Sequence, residues 1–124
     1  MSKARSTVII VEDDPEMNLA IRRLLSAAGF EAEAFPSGEA LLDAGAAARG
    51  MCLILDVNLP GVSGFELLRR LEIAGARLPV IFITAFEDAS SQAQAEDAGA
   101  IAYLTKPFPG QRLLGAINQA LTAA

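Results

Sequence analysis

Histidine is absent from all 124 residues, and this absence excludes more than any other. Without an imidazole the chain cannot run histidine acid–base catalysis, bind metal through histidine or carry a phosphohistidine. Any phosphoryl group that reaches it comes from another molecule. Cysteine is nearly absent as well. Cys52 stands alone, so no internal disulfide forms, and its place in a predicted core strand makes it a buried free thiol. Long apolar runs are also missing. Apolar residues make up 52% of the chain, yet no run approaches the roughly 20 residues that cross a bilayer. The opening Met-Ser-Lys-Ala-Arg-Ser lacks a signal peptide's apolar stretch and cleavage site. A soluble, cytoplasmic chain with no membrane contact is expected. Basic clusters do not exceed the pairs Arg22-Arg23 and Arg69-Arg70, both on predicted helices, and the net charge is −5. Direct nucleic-acid binding needs a basic patch, so none is expected.

What is present is a regular alternation. Short β-branched runs alternate with amphipathic segments, the pattern of βαβ units around a parallel sheet. Strands are predicted near 7–11, 31–35, 51–55, 79–84 and 101–105, with helices near 15–28, 38–48, 64–74, 88–98 and 109–122. These units are expected to fill one domain over 1–124, with its core in 7–122 and no output domain within it. The first, third and fourth strands are near-continuous apolar runs, as in strands covered on both faces. Glu31-Ala32-Glu33-Ala34-Phe35 alternates instead, which suits a sheet edge.

Helix ends are signalled too. Asp14 before Pro15 reads as an N-cap and Gly29 as a stop, with Met17, Ile21, Leu24, Leu25 and Ala28 on the inner face. Ser63-Gly64-Phe65-Glu66 has the form of a capping box. Leu113, Leu114, Ile117 and Leu121 give the last helix its apolar stripe. The fourth helix has only Ala89, Ala93, Ala95 and Ala98 as anchors. Each methylene an alanine lacks forgoes about 0.8 kcal/mol, so this helix should be the most loosely held.

Chemistry-bearing residues gather at predicted strand ends. Glu12-Asp13-Asp14 follows the first strand, Asp56 the third, Thr84 closes the fourth and Lys106-Pro107 follows the fifth. Ligands of open α/β sheets bind outside the carboxyl ends of the strands. In the strand order 2-1-3-4-5, one of two common doubly wound arrangements, Glu12 and Asp13 lie beside Asp56. Two like charges about 4 Å apart repel by about 4 kcal/mol at an effective dielectric near 20. Such acids must protonate, spread apart or hold a cation, and an all-oxygen donor set favours Mg²⁺. Lys106 is one of only two lysines, against eight arginines, which suggests that a compact point charge is required there. Pro107 marks a defined turn, with a cis peptide as one form of it. Together these groups describe phosphoryl transfer to a carboxylate. Asp56 attacks, Mg²⁺ and Lys106 neutralise the phosphoryl oxygens, and Thr84 donates a hydrogen bond to the new charge.

From Val8 onward this arrangement resembles the receiver domain of two-component response regulators. The resemblance implies an α/β, doubly wound (βα)5 flavodoxin-like fold with a five-stranded parallel sheet and helices on both faces. Glu12 and Asp13 match the family's acidic pair, and Asp56 in Leu-Asp-Val-Asn-Leu-Pro-Gly matches its phosphoacceptor. Asn58 matches the residue that gives a backbone carbonyl to Mg²⁺, while Thr84 and Lys106 match its hydroxyl and lysine. Tyr103 matches its aromatic switch, and Pro107 follows the lysine as in the family's Lys-Pro. By implication Asp56 takes a phosphoryl group from a sensor histidine kinase or histidine phosphotransfer protein. Thr84 and Tyr103 then move, and the face of helix four, strand five and helix five changes its affinity for a downstream protein, a missing output domain or a second copy in a homodimer. The chain would not be a conventional enzyme; its chemistry is Mg²⁺-dependent self-phosphorylation and slow autodephosphorylation. Glu12 departs from the more usual aspartate, keeping the charge on a longer arm. Phe86, two beyond Thr84, should slow autodephosphorylation.

Three other readings compete. An aspartyl-phosphate hydrolase wants an acid two beyond the nucleophile, where Asn58 stands, and a cap domain. A flavin or nucleotide carrier wants a phosphate cradle after strand one, where the acids Glu12, Asp13 and Asp14 stand. A receiver-like docking module working without phosphorylation shares the fold, and phosphorylation competence separates it from the leading reading.

Overall fold

The computed structural model describes residues 7–86 and 88–123, and the N-terminal leader with Lys3 lies outside them. The chain alternates strand and helix throughout: β1 (Thr7–Val11), α1 (Pro15–Ala27), β2 (Glu31–Phe35), α2 (Gly38–Ala44), β3 (Gly50–Asp56), α3 (Gly64–Ile73), β4 (Val80–Thr84), α4 (Ala89–Asp97), β5 (Ala102–Thr105) and α5 (Gly110–Ala123). All strand pairs are parallel, in the order β2-β1-β3-β4-β5. This is the doubly wound flavodoxin-like fold, with β1 and β3 adjacent at the point where the order reverses.

Burial follows the residue patterns. Val8, Ile10, Cys52, Ile54, Ile81 and Ile83 face α1 and α5, while Ile9, Val11, Leu53, Leu55 and Phe82 face α2, α3 and α4. Both faces of β1, β3 and β4 are therefore covered, which is why those strands read as continuous apolar runs. The alternating β2 is an edge and stays half-buried. Arg49 pins that edge through two bonds to Glu33, at 2.9 and 3.0 Å. Cys52 is buried and free, and desolvation pushes its thiol up to about 12.

The expected caps form. Asp14 accepts from the Glu16 N–H at 3.1 Å with Pro15 opening α1, and Gly29 ends the turn at φ +91°. Ser63 accepts from the Glu66 N–H at 3.2 Å, but the Glu66 carboxylate turns outward to Arg69 and Arg70, so only half of the capping box is made. Lys106-Pro107 is a cis peptide.

Four expectations need correction. The second helix ends at Ala44, because Gly45 adopts φ +62° and the chain continues as a 3₁₀ turn over Ala46–Arg49. The α5 stripe is Leu113, Ala116, Ile117 and Ala120, with Leu114 half-buried and Leu121 exposed. On α1, Asn18 joins Ile21 and Leu25 in the interior while Ala28 is exposed. Of the α4 alanines, Ala95 alone is buried.

Candidate functional site

Parallel pairing brings four strand ends to one edge. β1 lies directly beside β3, and Val11 is level with Leu55, so the residues that follow them, Glu12 and Asp56, emerge side by side. Asp56 is in turn level with Ile83 of β4, and Thr84 with Thr105 of β5, one residue before Lys106. The sequence separates Glu12 from Lys106 by most of its length, and the sheet reunites them.

Each group is held from below by backbone. Glu12 continues the ladder through its N–H to Phe35 O at 3.1 Å, and its own carbonyl accepts from the Asn18 carboxamide at 3.0 Å. The Asp14 N–H donates to Glu12 Oε2 at 3.1 Å, which keeps the carboxylate folded over the loop. Val57 N–H donates to Ile83 O at 2.9 Å and fixes the end of β3. Asn58 N–H then donates to Asp56 Oδ1 at 2.9 Å, closing a short Asx turn around the carboxylate. Gly64 lies so close to the Asp56 carbonyl that only a residue without Cβ fits there. Lys106 N–H donates to Thr84 O at 2.7 Å.

Lys106 is the positive centre of the cluster. Its Nζ stands 2.6 Å from Glu12 Oε1 and 3.0 Å from Asp56 Oδ2. Burial by itself would lower the ammonium pKa, but the carboxylates of Glu12 and Asp56 more than offset this, and the net shift is upward. Glu12 moves the other way from a typical paired acid. Burial pushes its carboxyl up to about 7, against the pull of Lys106 and of the Asp14 N–H. Desolvation wins because Glu12 is only 1% exposed and Asp56 adds a second negative charge nearby.

Glu12, Asp13 and Asp56 each offer an oxygen within 4.8 Å of the others. Asp13 is exposed while its two partners are buried, so the cluster opens to solvent on one side. No nitrogen or sulfur stands among these three donors, and Glu12 Oε1 is met by the Lys106 ammonium. Three converging carboxylates with an all-oxygen donor set fit a hard divalent cation.

Thr84 is fully buried. Its hydroxyl faces the Phe86 backbone and the Asn58 carboxamide, all at 3.1 Å. Tyr103 is level with Phe82 on the same sheet face, half-buried, and its hydroxyl has no hydrogen-bond partner among the described residues. Phe86 projects into solvent at 70% exposure. The structure thus assembles Glu12, Asp13, Asp56, Asn58, Thr84 and Lys106 in one cluster, with Tyr103 further along the face below Thr84 and Pro107 on the rim.

Two supporting residues escape sequence reasoning. Asn18 holds the Glu12 carbonyl, and its spacing of three and seven residues from Ile21 and Leu25 was the signal for its inward position. Glu39 reaches from α2 to accept from the Val62 N–H at 3.2 Å, tying down the loop after Asp56. Nothing in the sequence around Glu39 marks that contact.

A family model for the response regulator receiver domain matches residues 8–118. Response regulator protein TmoT of Ectopseudomonas mendocina is 41% identical, with 100% of this chain and 56% of TmoT covered. A response regulator receiver protein from Burkholderia phymatum superposes with a TM-score of 0.82 at 43% identity, covering 95% of this chain and 96% of that one. The response regulator StyR gives a TM-score of 0.86 at 42% identity, covering 94% of this chain and 59% of the other. The chain spans about half the length of curated regulators such as these.

Proposed function

The chain belongs to the receiver-domain family of response regulators, and on that premise we propose that it works as a phosphoacceptor switch centred on Asp56. The observation that carries the proposal is the Lys106 ammonium held between Glu12 and Asp56 at the carboxyl edge of the sheet. An Asp56 carboxylate oxygen attacks the phosphorus of a phosphohistidine on a sensor kinase or a histidine phosphotransfer protein. The P–O bond forms, the P–N bond breaks, and the electron pair returns to the departing imidazole. Lys106 already lies 3.0 Å from Asp56 Oδ2, where charge accumulates as the phosphoryl oxygens arrive. Glu12, Asp13, Asp56 and the Asn58 carbonyl would hold Mg²⁺, which when bound supplies charge neutralisation at those oxygens.

The product is read through Thr84. Phosphorylation adds charge and strong acceptor oxygens at Asp56, and the Thr84 hydroxyl turns from the Phe86 carbonyl to donate to them. Tyr103, on the same sheet face, follows into the space released. The α4–β5–α5 face changes with it, and its partner is a downstream protein, an output domain or a second copy of the chain. By linkage, a partner that prefers the altered face must favour phosphorylation to the same extent.

The test is intact mass after incubation with Mg²⁺ and a small acyl phosphate, beside Asp56→Asn and a metal-free sample. A single phosphoryl gain confined to the Mg²⁺-loaded wild type is expected. No gain in that sample overturns the proposal in favour of a docking module that works without phosphorylation.

A further inference from the structure

The side chain of Asn58 has no part in the reading above, which uses only its backbone carbonyl. Yet its carboxamide crosses from the β3–α3 loop to the β4 end, with Nδ2 3.1 Å from Thr84 Oγ1. A threonine hydroxyl has one proton to give and two lone pairs to fill. Here the proton goes to Phe86 O, and the lone pairs accept from Phe86 N–H and from Asn58. The valence of Thr84 is complete without any bond to Asp56, and at 0% exposure it has no water to exchange with. Because its single proton is already committed to Phe86, Asn58 meets the hydroxyl as donor. Asn58 is itself anchored, since its N–H is bonded to Asp56 Oδ1 at 2.9 Å. The carboxamide therefore reaches Thr84 from a fixed point and not from a free loop.

Resting on the phosphoacceptor reading of Asp56, we propose that the Asn58 carboxamide is a positioning group for Thr84. It holds the hydroxyl turned toward Phe86 in the unphosphorylated chain and so sets the equilibrium between the resting and phosphorylated arrangements. Turning Thr84 toward a phosphoryl group breaks the Phe86 O bond and forces the lone pair that faces Asn58 to rotate away. A donor that bonds only the resting position stabilises that state by its differential affinity, and removing it shifts the population toward the other state. One neutral hydrogen bond corresponds to a shift of about 2- to 12-fold.

Asn58→Ala tests this while leaving the backbone carbonyl in place. Beryllofluoride, a phosphoryl mimic, is titrated at saturating Mg²⁺, and its dissociation constant should tighten by about 2- to 12-fold. Tyr103 is the only tyrosine in a chain without tryptophan, so intrinsic fluorescence reports it alone. In Asn58→Ala without ligand, that signal should move toward the beryllofluoride-bound value. In a Thr84→Val background, where no hydroxyl remains to hold, Asn58→Ala should have no further effect on beryllofluoride affinity. An unchanged or weaker affinity in the single variant overturns the inference. So does an equal gain in the Thr84→Val background, because the effect would then run through the metal site. A wild-type chain that takes no beryllofluoride overturns the phosphoacceptor reading and this inference with it. A wild type that binds it, beside an unaltered Asn58→Ala, overturns the inference alone.

Discussion

Replacing Gly64 with alanine separates the stability of this fold from the competence of its site. Gly64 opens α3 directly beneath the acceptor strand. A methyl group there would press on the Asp56 carbonyl oxygen and come within 3.1 Å of the Asp56 carbonyl carbon and of Val57 Cα, where ordinary contact begins at 3.4 Å. All three neighbours are backbone, so no side chain can rotate away and either α3 or the end of β3 must shift. Overpacking of this kind costs about 1–3 kcal/mol. For a domain of this size each kcal/mol lowers Tm by about 4 °C, which gives a loss of about 4–12 °C. A domain with about 5–15 kcal/mol in hand stays folded at 25 °C after such a loss. The displaced atoms are those that carry the Asp56 carboxylate, and a misplacement of about 1 Å can cost up to about 100-fold in rate. Circular-dichroism melts should therefore be paired with initial phosphorylation rates at 25 °C. Gly115→Ala is the control, because a methyl on this exposed α5 glycine meets nothing within 4 Å. Removing a helix-interior glycine should stabilise by about 0.5–1 kcal/mol and leave the rate alone. A Gly64→Ala chain that melts with the wild type, or phosphorylates at its speed, refutes the reasoning.

Glu12 links metal binding to pH. Its carboxyl is raised to about 7 from 4.5, so its contribution to stability is complete below the unfolded value and is lost as pH climbs through about 7. The metal-free chain should lose that contribution between about pH 5 and pH 8. Mg²⁺ held by Glu12 would have to displace the same proton, so its affinity should fall by up to tenfold per unit below about pH 7, and Glu12→Gln should flatten the slope; a wild-type affinity indifferent to pH contradicts this. Amide exchange should be faster across Ala89–Asp97 than in α1, α3 or α5, because Ala95 alone anchors α4, and equal protection in all four helices would remove the idea. The Cys52 thiol, buried and pushed up to about 12, should react with thiol reagents only as fast as the chain unfolds, whereas rapid labelling of the native chain would show an opening beneath β3. The apolar ring of Phe86, next to Thr84, should slow loss of the phosphoryl group, so Phe86→Glu should hydrolyse faster, and slower hydrolysis in that variant counts against the proposal.

Strand positions were legible because burial on both faces leaves β1, β3 and β4 no room for polar residues, and Glu31 and Glu33 betray an edge. The strand-end acids, Thr84 and Lys106 were legible because parallel strands deliver all their carboxyl ends to one side. Errors arose where residue type and position disagree. Leu121 looks like core by chemistry, but the α5 stripe runs through the small residues Ala116 and Ala120, which let the helix lie close to β3 and β4. Ala46 to Ala48 suggested a longer α2, yet the positive φ of Gly45 ended it. The spacing of Asn18 from Ile21 and Leu25 puts it on the buried face of α1, but its bond to the Glu12 carbonyl is something periodicity of apolar residues does not report. The Asn58–Thr84 bond was illegible for a related reason: both partners are loop-adjacent and 26 positions apart, so only the finished sheet brings them together.

The strand order β2-β1-β3-β4-β5 also bears on the chain as it is being made. Asp56 is synthesised 50 residues before its neighbour Lys106, which follows the fifth strand. A nascent chain displays the carboxylates long before it holds the ammonium that lies between them. A partially synthesised or C-terminally clipped copy would thus present acids that repel one another and no charge to receive a phosphoryl group. The same topology leaves any copy that stops before Lys106 without the cation of the cluster.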